Sequence, residues 1–167
     1  AHIGDSRAYL VRDGVIRQVT DDHSWVAEQV RMGGMTPEEA ATSPYRNVIT
    51  RSIGTQSTVD VDVFREDARV GDTWVLCSDG LTGHVEAEEI LRIASDQAPC
   101  EVCRQLVELA SARGGRDNIT VVVVSVRALV ASEGSSAPAP VNGAAEPPAD
   151  PGDEGSKGRG LRRLFGR

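Results

Sequence analysis

Several residue types are scarce in this sequence, and each shortage excludes a class of protein. No stretch approaches the roughly 18 consecutive apolar residues of a membrane-spanning helix, so the sequence predicts no transmembrane segment. Aromatic residues make up only 4% of the chain, too few for a surface on which nucleic-acid bases stack. The three cysteines are too few for a disulfide framework, and the first residues do not resemble a signal peptide. We therefore expect a cytoplasmic protein.

Positive charge is also in short supply. The chain has 18 basic residues against 25 acidic ones, a formal net charge of −7. All of this excess lies in residues 1–130, which hold 13 arginines and 20 Asp and Glu residues. Nucleic-acid binding depends on clustered positive charge that contacts phosphates, so this composition argues against a nucleic-acid partner. It suits a protein that binds cations.

The last 37 residues differ in composition from the rest. Residues 131–167 contain 12 of the 25 Gly and Pro residues; five acids lie in 131–156 and five bases in 157–167. Such a segment cannot bury enough apolar surface to offset the cost of ordering its backbone. We expect a body at 1–130 and a disordered acidic linker with a basic tip at 131–167. Two interpretations of the tip stay open: a solvated tail, or a weak contact with an anionic membrane or an acidic partner.

Hydrophobic patterning predicts an α+β fold, because strands, then helices, then a strand follow one another without regular βαβ alternation. Asp13-Gly14 separates two apolar runs and predicts a tight hairpin turn. Thr36-Pro37 followed by Glu39 predicts a capped helix start. We expect strands near residues 8–12, 15–19, 59–64, 73–77 and 118–126, and helices near 24–32, 37–42, 86–94 and 99–112.

Three aspartates stand beside glycine or polar residues at the edges of predicted strands: Asp5, Asp79 and Asp117. A carboxylate at the end of a buried strand is held rigidly while its oxygens reach a cleft. Neighbouring carboxylates repel one another unless a cation lies between them, and oxygen ligands favour Mg²⁺, Mn²⁺ or Ca²⁺. The alternative is that these residues only make turns, as Asp13-Gly14 is expected to do.

Four segments together resemble, in order, motifs of the metal-dependent protein phosphatases (the PPM or type 2C family). They are AHIGDSRAYL at 1–10, RNVITRSIG at 46–54, LCSDGL at 76–81 and GRDNITV at 115–121. The resemblance is strongest to bacterial members that oppose Hanks-type Ser/Thr kinases. It implies a β-sandwich flanked by helices, and hydrolysis of phosphoserine or phosphothreonine by a metal-activated water.

The resemblance also implies roles for individual residues. Asp79 and Asp117 match positions that ligate one metal of a binuclear Mn²⁺ or Mg²⁺ centre. Asp5 matches an aspartate that, with the Asp79 equivalent, holds a third and weaker metal ion. Asn118 would orient Asp117. Residues 22–43 match a mobile flap beside the site.

One family motif is absent from this sequence. The Asp-Gly-(His or Met)-Gly-Gly segment, with the metal-bridging aspartate, belongs to the N-terminal half of the domain, as does the arginine that holds the substrate phosphate. We therefore expect residues 1–130 to be the C-terminal half of the catalytic domain, with exposed strand edges and apolar faces, and to be inactive or nearly so alone. Two alternatives stay open: a phosphatase of anti-sigma-factor antagonists, and a non-catalytic metal-binding or regulatory module.

The histidines and cysteines are expected to have structural roles. Three histidines have no metal-ligand spacing and match no family catalytic position, so we expect surface or strand positions for them: His2, His23 and His84. Cys100 and Cys103 are spaced like a redox pair, but on a predicted helix they share one face, which favours a structural role. Cys77, in an apolar strand, is expected to be an unreactive core thiol.

Overall fold

A computed structural model describes residues 1–115 and 117–129, which form one antiparallel sheet and a set of helices. This confirms the α+β prediction. The elements are β1 (Arg7–Arg12), β2 (Val15–Gln18), α1 (Trp25–Arg31), α2 (Pro37–Thr42), β3 (Thr73–Cys77), α3 (Asp79–Thr82), α4 (Ala87–Ala94), α5 (Pro99–Ala112) and β4 (Val121–Ser125). In this described part of the chain no helix is long and apolar enough to span a bilayer. The predicted tail lies outside the described residues.

The sheet has the strand order β2-β1-β3-β4, and every neighbouring pair is antiparallel. Arg12 pairs with Val15, so Asp13 and Gly14 alone make the turn between β1 and β2. Both have positive φ, 53° and 74°, as a type I′ turn requires. The predicted hairpin is therefore confirmed.

The core lies between one face of the sheet and helices α3, α4 and α5. Side chains of alternate strand residues, among them Tyr9, Val75 and Cys77, are buried on this face. They pack with helix residues that are fully buried: Leu81, Ile90, Val102, Leu106 and Ala110. Burial of each large apolar side chain contributes about 1.5–3 kcal/mol, so this layer holds the sheet and helices together.

The opposite face of the sheet presents apolar side chains to solvent. Leu76, Val122 and Val124 are 43%, 51% and 49% exposed. Leu76 is paired with Val122, and Trp74 with Val124, so these residues form one continuous patch across β3 and β4. We call Leu76, Val122 and Val124 the open face. The expected exposed apolar face is thus present.

The strand predicted at residues 59–64 is wrong. The described structure has only a single antiparallel bridge there, between His2 and Asp62, with backbone bonds of 2.8 and 3.1 Å. Val61 and Val63 are 49% and 66% exposed. Alternating polarity makes a segment able to form a strand, but a strand also needs a neighbour along its whole length, and within the described residues only His2 supplies one.

The helix starts agree with the sequence signals. Ser24 caps α1 by accepting a hydrogen bond from the Ala27 N–H group. Thr36 and Glu39 form the predicted capping box at the start of α2. Helix α5 has the predicted bounds, and α4 starts one residue later than expected because Glu86 is its N-cap. The strand predicted at 118–126 is shortened to β4, and at its start residues 118 and 120 bond to the Ser78 hydroxyl.

Candidate metal centre

Of the three candidate aspartates, Asp5 and Asp79 lie close to strand ends, whereas Asp117 lies four residues before β4. Asp5 is in the short segment between the His2–Asp62 bridge and β1. Asp79 is the first residue of α3, separated from β3 only by Ser78. Asp117 lies in the connection between α5 and β4. Because β1 and β3 are neighbours and Arg7 pairs with Cys77, the first two aspartates are brought to the same end of the sheet.

Asp5 and Asp79 line the same cavity, of about 760 Å³. Further acidic residues lie in its wall, namely Asp21, Asp22 and Glu86. Helices α1 and α2 supply an apolar side of the cavity: Val26, Ala27, Val30, Pro37, Ala40 and Ala41. Two basic residues also line it, Arg31 at the end of α1 and Arg46 in the segment after α2. The segment that the resemblance identifies as a flap therefore borders this cavity.

The electrostatics of Asp5 favour a nearby cation. Its pKa is raised above the ordinary value, first by burial and then by the negative charge of Asp79; Asp22 adds a further upward contribution. The Asp5 backbone N–H and Arg7 act in the opposite direction. In residues 1–115 and 117–129, no ion pair joins Asp5 or Asp79 to a basic side chain. These two carboxylates therefore repel each other without compensation from a paired cationic side chain.

Asp22, by contrast, is already compensated. The Arg7 Nε–H group lies 3.0 Å from both Asp22 carboxylate oxygens, and Nη2 donates to one of them at 2.7 Å. Gln18 donates to the other oxygen at 2.9 Å. Burial opposes the charge on Arg7, but these bonds outweigh it and raise the Arg7 pKa. Arg7 and Asp22 thus form a fixed wall of the cavity, and Arg7 also donates to the Tyr9 hydroxyl at 3.1 Å.

The segment that carries Asp79 packs directly against the segment that carries Asp117. The Ser78 hydroxyl donates to the Asn118 carbonyl at 2.9 Å and accepts from the Thr120 N–H at 3.0 Å. A Cβ atom on Gly80 would lie 2.6 Å from the Asn118 carbonyl oxygen, so only glycine allows this approach. The Asn118 backbone N–H donates to Asp117 Oδ1 at 2.7 Å. A backbone group, rather than the Asn118 side chain, makes this contact.

The structure brings the candidates together only in part. Asp117 is exposed and is not among the residues that line the cavity. Among the described residues, no group of three or more His, Cys, Asp or Glu side chains could hold a metal ion. The donor set still fits Mg²⁺ or Mn²⁺, because Mg²⁺ is usually held by one or two carboxylates and completed by water and other oxygens. The role of Asp5, Asp79 and Asp117 as ligands, and of Asn118 beside them, stays a prediction.

The Arg7–Asp22 pair could not be predicted from the sequence. A signal for Arg7 was available, because residues two apart on an extended segment point to the same side and Arg7 is two residues after Asp5. No local pattern could have identified Asp22 as the partner, since the pair joins residues 15 positions apart.

The expected surface or strand positions of the histidines are wrong for His23, whose ring is buried. It is 1% exposed and lies just before the N-cap of α1. His2 is also buried, at 9%, in the isolated bridge with Asp62. The cysteine expectations agree better: Cys77 is buried, which raises the pKa of its thiol to about 11, and the Cys103 thiol donates to the Val121 carbonyl at 3.7 Å. The spacing of polar residues in the sequence could not reveal that the buried His23 ring bonds to residues as far apart as Gly4 and Asp62.

Known proteins with the same features are bacterial Ser/Thr phosphatases. A putative type 2C phosphatase of Streptococcus pyogenes is 46% identical over 125 residues, 74% of this chain and 51% of the relative. The crystal structure of Mycobacterium tuberculosis PstP/Ppp superposes with a TM-score of 0.71 at 43% identity, covering 76% of this chain and 54% of that one. A PstP catalytic domain with two manganese ions gives 0.67 at 42%, covering 76% and 52%.

The homologues of this chain are bacterial Ser/Thr phosphatases of the PPM type. This confirms the resemblance found in the sequence, although no protein-family model matches the chain. The chain spans about half or less of the length of the curated relatives that it matches. Within the described residues only one sheet is present, whereas the family resemblance implies a sandwich.

Proposed function

We propose that residues 1–130 form part of the catalytic domain of a metal-dependent protein Ser/Thr phosphatase, and that Asp5, Asp79 and Asp117 ligate its Mn²⁺ or Mg²⁺ ions. The observation that carries this proposal is the cavity that Asp5 and Asp79 share without a basic ion-pair partner among the described residues. The manganese ions in the related PstP structure support the choice of metal.

Each residue group of the cavity has a distinct task in this proposal. Asp5 and Asp79 supply fixed carboxylate oxygens, and Asp117 extends the set from the neighbouring segment. When bound, divalent cations lower the pKa of water and neutralise charge that develops on phosphorus. The Arg7–Asp22 ion pair stabilises the cavity wall beside Asp5. The opposite charges of its two residues compensate each other. The apolar side of α1 and α2 limits the access of bulk water.

The open face has a place in the same proposal. The family's sandwich needs a second sheet, and Leu76, Val122 and Val124 are the surface that it would cover. We propose that the half of the domain that this chain does not match supplies both this sheet and the remaining metal ligands. Residues 131–167 would then be a linker with a basic tip outside the catalytic domain.

The proposed substrates and cellular location follow from the resemblance of this chain to bacterial phosphatases. The motifs resemble bacterial phosphatases that oppose Hanks-type Ser/Thr kinases, so we propose phosphoproteins made by such a kinase as substrates and the cytoplasm as the site of action. A weak contact of the basic tip with anionic membranes is part of the same proposal.

Phosphate release from a phosphothreonine peptide in the presence of Mn²⁺ tests the activity. The 167-residue chain alone should show little or no turnover, whereas its fusion to the unmatched half of the Streptococcus pyogenes relative should be active. In the fusion, Asp79→Asn should lower the rate about 100-fold or more, because a metal ion supplies several kcal/mol of charge stabilisation. Asp13→Asn is the matched control, since Asn tolerates the positive φ of that exposed turn position.

Two results would count against the proposal. Robust turnover by the chain alone would show that the other half is dispensable. A folded fusion that binds Mn²⁺ without turnover would favour the non-catalytic metal-binding module.

A further inference from the structure

The buried ring of His23 connects the Asp5 segment to a distant part of the chain. Its Nδ1 atom accepts a hydrogen bond from the Gly4 N–H at 3.0 Å, immediately before Asp5. Its Nε2 atom lies 2.9 Å from Asp62 Oδ2. The backbone of His23 adds a third link, because its N–H donates to the Gly4 carbonyl at 2.8 Å. One residue therefore holds both polar groups of the Gly4 backbone.

The two ring contacts define the tautomer. A backbone N–H can only donate, so Nδ1 must carry a lone pair towards Gly4. An ionised carboxylate can only accept, so Nε2 must carry the hydrogen towards Asp62. Asp62 is itself fixed, because Arg51 donates to its other oxygen at 2.7 Å. The Asp62 pKa is accordingly lowered, first by the bond with His23 and then by the bond with Arg51.

Gly4 needs this support because of its backbone conformation. Its φ of +101° is one that residues with a side chain rarely adopt. A chain in that conformation sets the direction in which the next residue, Asp5, leaves the segment. Gly4 has no regular sheet partner, since β1 begins only at Arg7. The two bonds from His23 therefore restrain the backbone from which Asp5 departs.

We propose that His23 is a positioning residue for Asp5: its Nε2–H tautomer, fixed by Asp62, holds the Gly4 backbone so that the Asp5 carboxylate stays in the cavity that it shares with Asp79. The proposal rests on the proposed function, because it assumes that Asp5 ligates a cation. It also joins the metal centre to residues 48–51, since the His23 carbonyl accepts from Thr50 at 2.8 Å and Arg51 holds Asp62.

Two substitutions of His23 test the contacts of its Nδ1 and Nε2 atoms separately. The side-chain amide of His23→Asn can take the place of Nδ1 and accept from Gly4, but it is too short to reach Asp62. The longer amide of His23→Gln takes the place of Nε2 and reaches Asp62, but leaves the Gly4 N–H without its acceptor. His84→Asn is the control, because the described structure shows no hydrogen bond to the His84 ring and that residue is only partly buried.

The experiment measures Mn²⁺ affinity of the 167-residue chain by electron paramagnetic resonance and, without metal, hydrogen exchange at the Gly4 amide. His23→Gln should weaken Mn²⁺ binding about 10-fold to 100-fold, the usual effect of losing a group that orients a ligand. It should also accelerate Gly4 exchange. His23→Asn should stay within a few-fold of the wild type in both measurements, as should His84→Asn.

The ligand variants Asp5→Asn and Asp79→Asn separate the possible failures. If both weaken Mn²⁺ binding but His23→Gln does not, the positioning role is wrong and the metal site stands. If neither ligand variant changes binding, the proposed metal site is wrong, and the role of His23 falls with it. If His23→Asn and His23→Gln weaken binding equally, in proportion to their loss of unfolding free energy, His23 is only a structural residue.

Discussion

Asp72 shows how one buried carboxylate can make stability depend on pH. It is 1% exposed, and Arg12 donates to both of its oxygens at 2.7 Å. The Arg69 N–H adds a third bond at 2.8 Å. The bonds from Arg12 are the main reason that the pKa of Asp72 is lowered from 3.8 to about 2. This cluster ties β1 to the turn that precedes β3.

The lowered pKa of Asp72 determines the direction in which the stability of the protein changes with pH. The contribution of Asp72 is fully present above its unfolded pKa and is lost as pH falls through its folded pKa. We therefore predict that the free energy of unfolding decreases from about pH 4 to about pH 2, and that Asp72→Asn makes this decrease shallower while lowering stability at pH 7. Urea denaturation at a series of pH values measures both effects. The control is Asp96→Asn at an exposed position, which should keep the wild-type slope; equal slopes for wild type and Asp72→Asn would contradict the prediction.

At the scale of single residues, the sequence indicates which side chains are candidate ligands better than it indicates which residues they contact. Asp5 and Asp79 could be selected because carboxylates beside glycine at strand ends are visible locally. They share a cavity because Arg7 pairs with Cys77. This pairing depends on the register of β1 against β3. The burial of His23 could not be predicted, because its ring bonds to Gly4 and Asp62, and contacts over such separations leave no periodic signal in the chain.

At the scale of elements, the approach of the β3–α3 junction to residues 118–120 depends on Gly80. The nearest atoms to a Cβ at this position would be backbone atoms of Asn118, at 2.6 and 3.1 Å, which cannot rotate away. We predict that Gly80→Ala lowers the free energy of unfolding by about 1–3 kcal/mol, the usual cost of overpacking, despite the better helix propensity of alanine.

Chemical denaturation measures this effect, and Gly83→Ala in the same connection is the matched control. Its Cβ would meet only the Asp79 carbonyl, at 3.3 Å, so its cost should be clearly smaller. The Gly80 variant should also weaken Mn²⁺ binding, because the segments of Asp79 and Asp117 would be pushed apart. A Gly80→Ala protein as stable as the wild type would show that these segments separate without cost.

Elements with strong local signals were predictable, and those that depend on a neighbour were not. The hairpin turn at Asp13 and the helix caps at Ser24 and Thr36 follow from the preferences of a few consecutive residues. The predicted strand at 59–64 failed because alternation of valine and aspartate cannot supply a pairing partner. Residues 118–120 are not part of β4, and the Ser78 hydroxyl bonds two of their backbone groups, the Asn118 carbonyl and the Thr120 N–H.

At the scale of the whole molecule, the open face should govern how the isolated chain behaves in solution. Contiguous apolar side chains on a sheet promote association unless another layer covers them. We predict that the chain alone self-associates in light scattering and binds a hydrophobic dye, and that a variant with Leu76, Val122 and Val124 all changed to Thr does so much less.

The control for the open face is Val15→Thr on β2. Val15 is 64% exposed but lies on the strand at the opposite edge of the sheet from β4. It should leave association unchanged, whereas fusion to the unmatched half of a PPM relative should suppress association without any substitution. A wild-type chain that stays monomeric and binds no dye would contradict the prediction.

The strand order has a consequence for the time course of folding. Among the strand pairs of residues 1–115 and 117–129, only the β1–β2 hairpin joins residues that are close in sequence, and isolated hairpins form in about 1–10 μs. The other pairings bring Arg7 to Cys77 and Cys77 to Val121. Long segments must therefore lose the entropy of loop closure before the strands form their stabilising hydrogen bonds. Sheets dominated by such distant pairing fold slowly. During synthesis, the candidate metal centre therefore cannot assemble until β3 has left the ribosome and joined an already formed hairpin.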